Sequence, residues 1–142
     1  MSVVVDASVA LDWVFLSERS TYANGVLEHV SENGGAVPVI WPAEVANGLL
    51  TALRSRRMAQ EDIPSALSLL EALHLTVHGP PFPEALRRLV LTGTTSGLTA
   101  YDSAYLELAI RESLPLATHD EGLKKAATKA GVPLFKRGGR RR

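Results

Sequence analysis

The sequence predicts an α/β domain with a parallel sheet and helices on both of its faces. Three observations carry that prediction. Short apolar runs recur along the chain with helical segments between them, and strands so separated pair in parallel through right-handed crossovers. The 142 residues suffice for one domain with a core, and 46% hydrophobic against 21% charged residues is a globular composition. The first run, Val3-Val4-Val5, is apolar without alternation, as in a strand buried on both faces, and it ends in Asp6-Ala7-Ser8, where a helix begins.

The remaining elements follow in order. Residues 7–15 carry Val9, Leu11, Trp13 and Val14 at helical spacing, with Asp6 or Ser8 as the cap. Ser20 or Thr21 opens a second helix whose apolar face is Ala23, Val26, Leu27 and Val30, and Asn33-Gly34-Gly35 closes it. Residues 36–40 read as a second strand. Pro42 suits the first turn of a third helix, which runs to the basic cluster Arg54, Arg56 and Arg57. A fourth helix begins at Glu61 or Asp62 and ends near Leu73. A third strand spans 75–78, and Gly79-Pro80-Pro81 makes a turn. A fifth helix spans 83–91, and residues 92–97 read as a polar loop. Thr99 starts a sixth helix, 114–117 form a fourth strand, 120–130 a seventh helix closed by Gly131, and 132–135 a last strand.

Composition narrows the class. The absence of cysteine excludes disulfides and thiolate metal sites and fits a reducing, cytoplasmic setting. The apolar N-terminus has no basic n-region and is interrupted by Asp6 and Asp12, which argues against a signal peptide, and no run approaches the ~20 apolar residues of a membrane span. The net charge is zero but unevenly placed: residues 120–142 hold eight basic side chains against two acidic ones, so +6 there faces −6 on residues 1–119. The expected organisation is a domain over residues 1–135 and a basic tail at 136–142. Such a tail is either a solvated terminus or an electrostatic contact for nucleic acid.

Four carboxylates fall at helix starts. Asp6 follows the first strand, Glu44 lies in the first turn of the third helix, Asp102 in the first turn of the sixth, and Asp120 follows the fourth strand. Each has a plain structural reading: Thr99-Ala100-Tyr101-Asp102 matches a capping box, Asp6 and Asp120 fit N-caps, and Glu44 fits an acidic first turn. Together they point further. The C-terminal ends of parallel strands converge on one edge, and carboxylates gathered there repel and raise one another's pKa. A hard divalent cation such as Mg²⁺ or Mn²⁺ relieves that repulsion, takes oxygen ligands, and activates water against a phosphate ester.

The stretches around these acids resemble a known family. Val3-Val4-Val5-Asp6-Ala7-Ser8-Val9-Ala10-Leu11, Pro42-Ala43-Glu44-Val45-Ala46-Asn47-Gly48-Leu49, Leu98-Thr99-Ala100-Tyr101-Asp102-Ser103-Ala104-Tyr105-Leu106 and Ala117-Thr118-His119-Asp120-Glu121-Gly122-Leu123 are similar to the four acidic motifs of PIN-domain ribonucleases, and most similar to VapC-type toxins of toxin–antitoxin pairs. The resemblance runs from Val3 to Leu134. It implies an α/β/α sandwich of about five parallel strands in the order 3-2-1-4-5, RNA cleavage dependent on Mg²⁺ or Mn²⁺, a homodimer, and a small antitoxin protein as partner. By position it makes Asp6, Glu44, Asp102 and Asp120 the catalytic and metal-binding quartet. Ser8, Asn47 and Thr118 are then supporting polar residues, and Asn47 lies one helical turn from Glu44. The arginine-rich end is not part of that family pattern.

Two rival functions remain at this level. A Mg²⁺-dependent phosphatase of the aspartyl-phosphate type wants a second acid two residues after its nucleophile, where this chain has Ser8. A catalytically inactive module that binds RNA or a partner protein has no need of a complete quartet. His119 reads as a loop histidine, and His29, His74 and His78 as surface or strand-end residues. Trp13 and Phe15 read as core, dimer or antitoxin contacts, and no histidine–acid arrangement supports Ser8 as a nucleophile.

Overall fold

The computed structural model describes residues 1–15 and 20–136. The elements are β1 (Val3–Val5), α1 (Ala7–Val14), α2 (Thr21–Asn33), β2 (Gly35–Pro38), α3 (Trp41–Arg54), a 3₁₀ turn (Gln60–Asp62), α4 (Ile63–Glu71), β3 (Leu75–His78), α5 (Glu84–Ser96), α6 (Ala100–Glu112), β4 (Leu116–Ala117) and α7 (Glu121–Lys129). Four strands pair in the order β3-β2-β1-β4, all parallel. With right-handed crossovers, α1 to α4 cover one face of such a sheet and α5 to α7 the other. The direction of strand addition reverses beside β1, so the loops after β1 and β4 flank the switch-point crevice.

The expected fifth strand is reduced to one parallel bridge, Leu116 with Leu134, held by Leu116 N–H to Pro133 O and Phe135 N–H to Leu116 O. Its shortness has a local cause. Pro133 has no N–H to extend the ladder backward, and β4 ends at Ala117 because Thr118 turns toward Asp6. The expected polar loop at 92–97 is instead the last turn of α5 and its cap. The hydroxyls of Thr94 and Ser96 fold back onto the carbonyls of Leu91 and Thr92, and Gly97, at φ 77°, closes the helix.

The core lies around β1 and α6. Val3, Val4 and Val5 are fully buried, as are Trp13, Tyr105, Leu108, Leu116 and Leu123. Residues 103–109 of α6 are buried without interruption, since the helix packs on β1, β2, α5 and α7 together. Trp13 is core, with its indole N–H on Ala23 O at 2.9 Å, while Phe15 is half-buried beneath the Arg57 guanidinium at 4.6 Å. Among the described residues no helix is long and apolar enough to cross a membrane. In the expected basic tail, residues 137–142 lie outside the described residues.

Candidate active site

Asp6 is seated by the backbone first. Its N–H donates to Ala117 O at 3.0 Å, carrying the β1–β4 ladder one residue past the strand. Its carbonyl then accepts the first N–H groups of α1, from Val9 and Ala10. The residue is therefore the N-cap of α1, but its side chain makes no capping bond. The carboxylate, 7% exposed, instead takes two hydroxyl donors on Oδ2: Ser8 Oγ at 2.9 Å and Thr118 Oγ1 at 2.6 Å. Oδ1 has no protein donor among the described residues. A buried carboxylate oxygen wants hydrogen bonds or a cation.

Thr118 ties two acids together. Its hydroxyl donates to Asp6 and accepts the Asp120 N–H at 3.0 Å. Asp120 caps α7 as expected, with Oδ1 accepting from Leu123 N–H at 2.8 Å, so one of its oxygens remains free for other work. Asp102 departs from the capping-box reading. Thr99 Oγ1 accepts the Asp102 N–H at 3.2 Å, but the return bond from the Asp102 carboxylate is absent among the described residues. That carboxylate is held above the ordinary aspartate range by burial, then by the charges of Asp120 and Asp6.

Glu44 is oriented by a residue that sequence reading did not single out. The phenol of Tyr105, on α6, donates to Glu44 Oε1 at 2.5 Å. Burial, followed by the hydrogen bond to Glu44 and the charges of Asp6 and Glu44, pushes the phenol far up, so it stays a neutral donor. Glu44 is itself raised, by burial first and by the charges of Asp6 and Asp102, against the opposing bond from Tyr105. The signal for Tyr105 was its place one helical turn after Asp102, facing the same way. Asn47 lines a cleft of about 500 Å³ with Asp6, Ser8, Glu44 and Tyr101, without bonding Glu44. Gly48 and Leu11 also line that cleft, and they meet closely: a Cβ at Gly48 would lie 2.4 Å from the Leu11 side chain of α1.

Asp6 and Asp120 are thus joined through Thr118, while Glu44 and Asp102 sense the others by charge. Among the described residues no three His, Asp or Glu side chains are drawn close enough to hold a metal ion as they stand. The donor chemistry nevertheless fits a hard divalent cation: the four acids offer only oxygen, Asp6 Oδ1 has no donor among the described residues, and Glu44 and Asp102 are raised by burial first and then by their neighbours' charge.

A buried acid at a topological switch point, with further carboxylates at neighbouring helix starts, defines an acidic-cleft α/β domain. The chain belongs to the PIN domain family, whose model matches residues 3–129; PIN domains are generally nucleases. Among solved structures it is similar to PAE2754 from Pyrobaculum aerophilum, at 23% identity and a TM-score of 0.63, covering 89% of this chain and 86% of that one. It is also similar to FitAcB from Neisseria gonorrhoeae, at 18% identity and a TM-score of 0.65, covering 94% and 96%. At these identities the likeness is one of fold. No curated protein matches the chain significantly.

Proposed function

We propose that this protein is a metal-dependent endoribonuclease, the VapC-type toxin of a toxin–antitoxin pair. The observation that carries the reading is the Asp6 carboxylate: buried, released from capping, fixed by two hydroxyls on one oxygen, and lining a cleft with no donor on its other oxygen among the described residues. A structural cap has no use for that arrangement, whereas a site for a cation and a phosphodiester does.

Asp6, Glu44, Asp102 and Asp120 are the residues that would hold Mg²⁺ or Mn²⁺, which supplies charge neutralisation and water activation when bound. The chain's own part is orientation. Ser8 and Thr118 fix the rotamer of Asp6, and Thr118 sets Asp120 beside it. Tyr105 turns Glu44 toward the cleft and keeps its own proton. RNA would be hydrolysed in line to leave a 5′-phosphate and a 3′-hydroxyl. Ser8 is engaged on both sides, donating to Asp6 and accepting from the His119 N–H, so it supports Asp6 and is not the second acid that the phosphatase reading wants. A homodimer, an antitoxin partner and a cytoplasmic location belong to this same reading.

The test is cleavage of a defined RNA by the purified protein with Mg²⁺, with Mn²⁺ and with excess EDTA. Cleavage with either ion, lost in chelator, is the expected outcome. Equal cleavage in chelator would remove the metal, and RNA binding without cleavage under any condition would leave a binding module.

A further inference from the structure

Outside the acidic quartet, Asp12 and His119 make a contact that the reading above does not use. His119 Nε2 donates to Asp12 Oδ2 at 2.8 Å, and since a carboxylate only accepts, that nitrogen carries the hydrogen. The imidazole leans on the Tyr22 ring, with centroids 5.8 Å apart. The backbone N–H of His119 donates to Ser8 Oγ at 3.3 Å. Ser8 and Asp12 are four residues apart on α1, so they stand one above the other on a single face. That face holds His119 twice, by its main chain and by its side chain.

The residue so held lies between the two that matter. Thr118, whose hydroxyl fixes Asp6, precedes it, and Asp120 follows it. The β4 strand ends at Ala117, whose carbonyl takes the last ladder bond from Asp6 N–H, so the ladder stops just short of this turn. We propose that Asp12 and His119 are a positioning pair that places the 118–120 turn against Asp6 and thereby sets the separation of the Asp6 and Asp120 carboxylates. Its effect on rate rests on the nuclease reading; its effect on the turn does not. The competing account is a partly exposed pair of no consequence, with side chains 35% and 20% exposed.

The full chain is compared with Asp12→Ala, His119→Ala, the double variant and Asp12→Asn. Glu84→Ala, which breaks the exposed Arg88–Glu84 pair on α5, is the control. Two quantities are read: hydrogen exchange at the Asp120 amide, which rests on Thr118 Oγ1, and kcat and KM on RNA with Mg²⁺. Exchange is expected to rise about tenfold in both alanine variants, as a local opening grows easier. In the same variants kcat is expected to fall about 10–100-fold with KM little changed, as for residues that orient ligating groups. The double variant should be no worse than either single, because the two share one interaction. Asp12→Asn, which keeps an acceptor oxygen, should recover most of the rate, and Glu84→Ala should match the parent. Unchanged exchange in both alanine variants overturns the proposal, and so does faster exchange with parental kcat. If His119→Ala does not fold, the Asp12→Ala arm decides alone. If the parent does not cleave RNA, the nuclease reading falls and exchange alone decides the pair, a faster Asp120 amide upholding it and an unchanged one overturning it.

Discussion

Two hydroxyls sit on one oxygen of Asp6 while the other has no donor among the described residues, and that asymmetry makes the side chain specific. Asp6→Asn puts an NH₂ group where an acceptor is needed, and is expected to abolish RNA cleavage while the far-ultraviolet circular dichroism stays parental. Tyr105→Phe removes only the donor to Glu44. Its expected result is a kcat lower by about 10–100-fold with a melting midpoint near that of the parent, since water can replace the phenol on a half-exposed carboxylate. Glu44 and Asp102 are both raised above the ordinary carboxylate range, by burial first and then by neighbouring negative charge. For acids raised in the folded state, stability is fully present below the unfolded pKa and is lost as pH rises through the folded one. Metal-free protein should therefore lose stability as pH climbs from about 4 toward neutrality. Asp102→Asn removes one of the repelling charges. It should flatten that loss, melt no lower than the parent at neutral pH, and be inactive on RNA. Thermal melts across pH check the first two points. A destabilised Asp102→Asn that still cleaves RNA would return Asp102 to a purely structural role.

At the scale of elements, helix starts carry the acids, so cap chemistry and site chemistry are coupled. Thr99 is the N-cap of α6 and accepts the Asp102 N–H; Ser20 is the N-cap of α2 and accepts the Ala23 N–H. Each replaced by alanine should cost about 1 kcal/mol. Only Thr99→Ala should also slow RNA cleavage, because only that cap holds a carboxylate of the quartet. Chemical denaturation with a parallel cleavage assay separates the two effects, and equal activity in both variants would detach the α6 cap from the site. The α5–α6 junction shows a second coupling. Gly93 lets α5 approach the backbone of Leu98, where a Cβ would meet the carbonyl at 3.2 Å, within the stretch 92–96 that the polar sequence alone suggests is a loop.

For the whole molecule, the proposed function makes charge placement the control on both metal and RNA binding. A cation that binds only the folded state raises stability with occupancy, so Mg²⁺ should raise the melting midpoint of the parent more than that of Asp102→Asn. Equal shifts would place the ion elsewhere. Residues 120–142 carry +6 against −6 on the rest of the chain. Deleting 138–142 removes three arginines and should weaken RNA binding and flatten its dependence on salt, because fewer counterions are released from the phosphates. Binding titrations at several salt concentrations measure the slope, and a parental slope would assign the tail no RNA contact.

The parallel sheet, the positions of β1 and the helices, and the place of the four acids at helix starts were legible in the sequence. They follow from local rules: β-branched runs, 3.6-residue periodicity and cap residues act over a few neighbours. The capping of α7 by Asp120 was equally local. What tertiary structure alone decided is which acids are caps and which are free. Asp6 escapes capping because Thr118, brought in by β4, and Ser8 both reach its Oδ2. Tyr105 meets Glu44 across 61 residues, and His119 meets Asp12 across 107. No periodicity within one element encodes such pairs; they exist only once the sheet order β3-β2-β1-β4 sets the strand ends side by side. The fifth strand is shortened to a single bridge by contacts of the same tertiary kind. Its sequence is strand-like, but the proline at 133 and the turn of Thr118 toward Asp6 leave its neighbour a single residue to pair with.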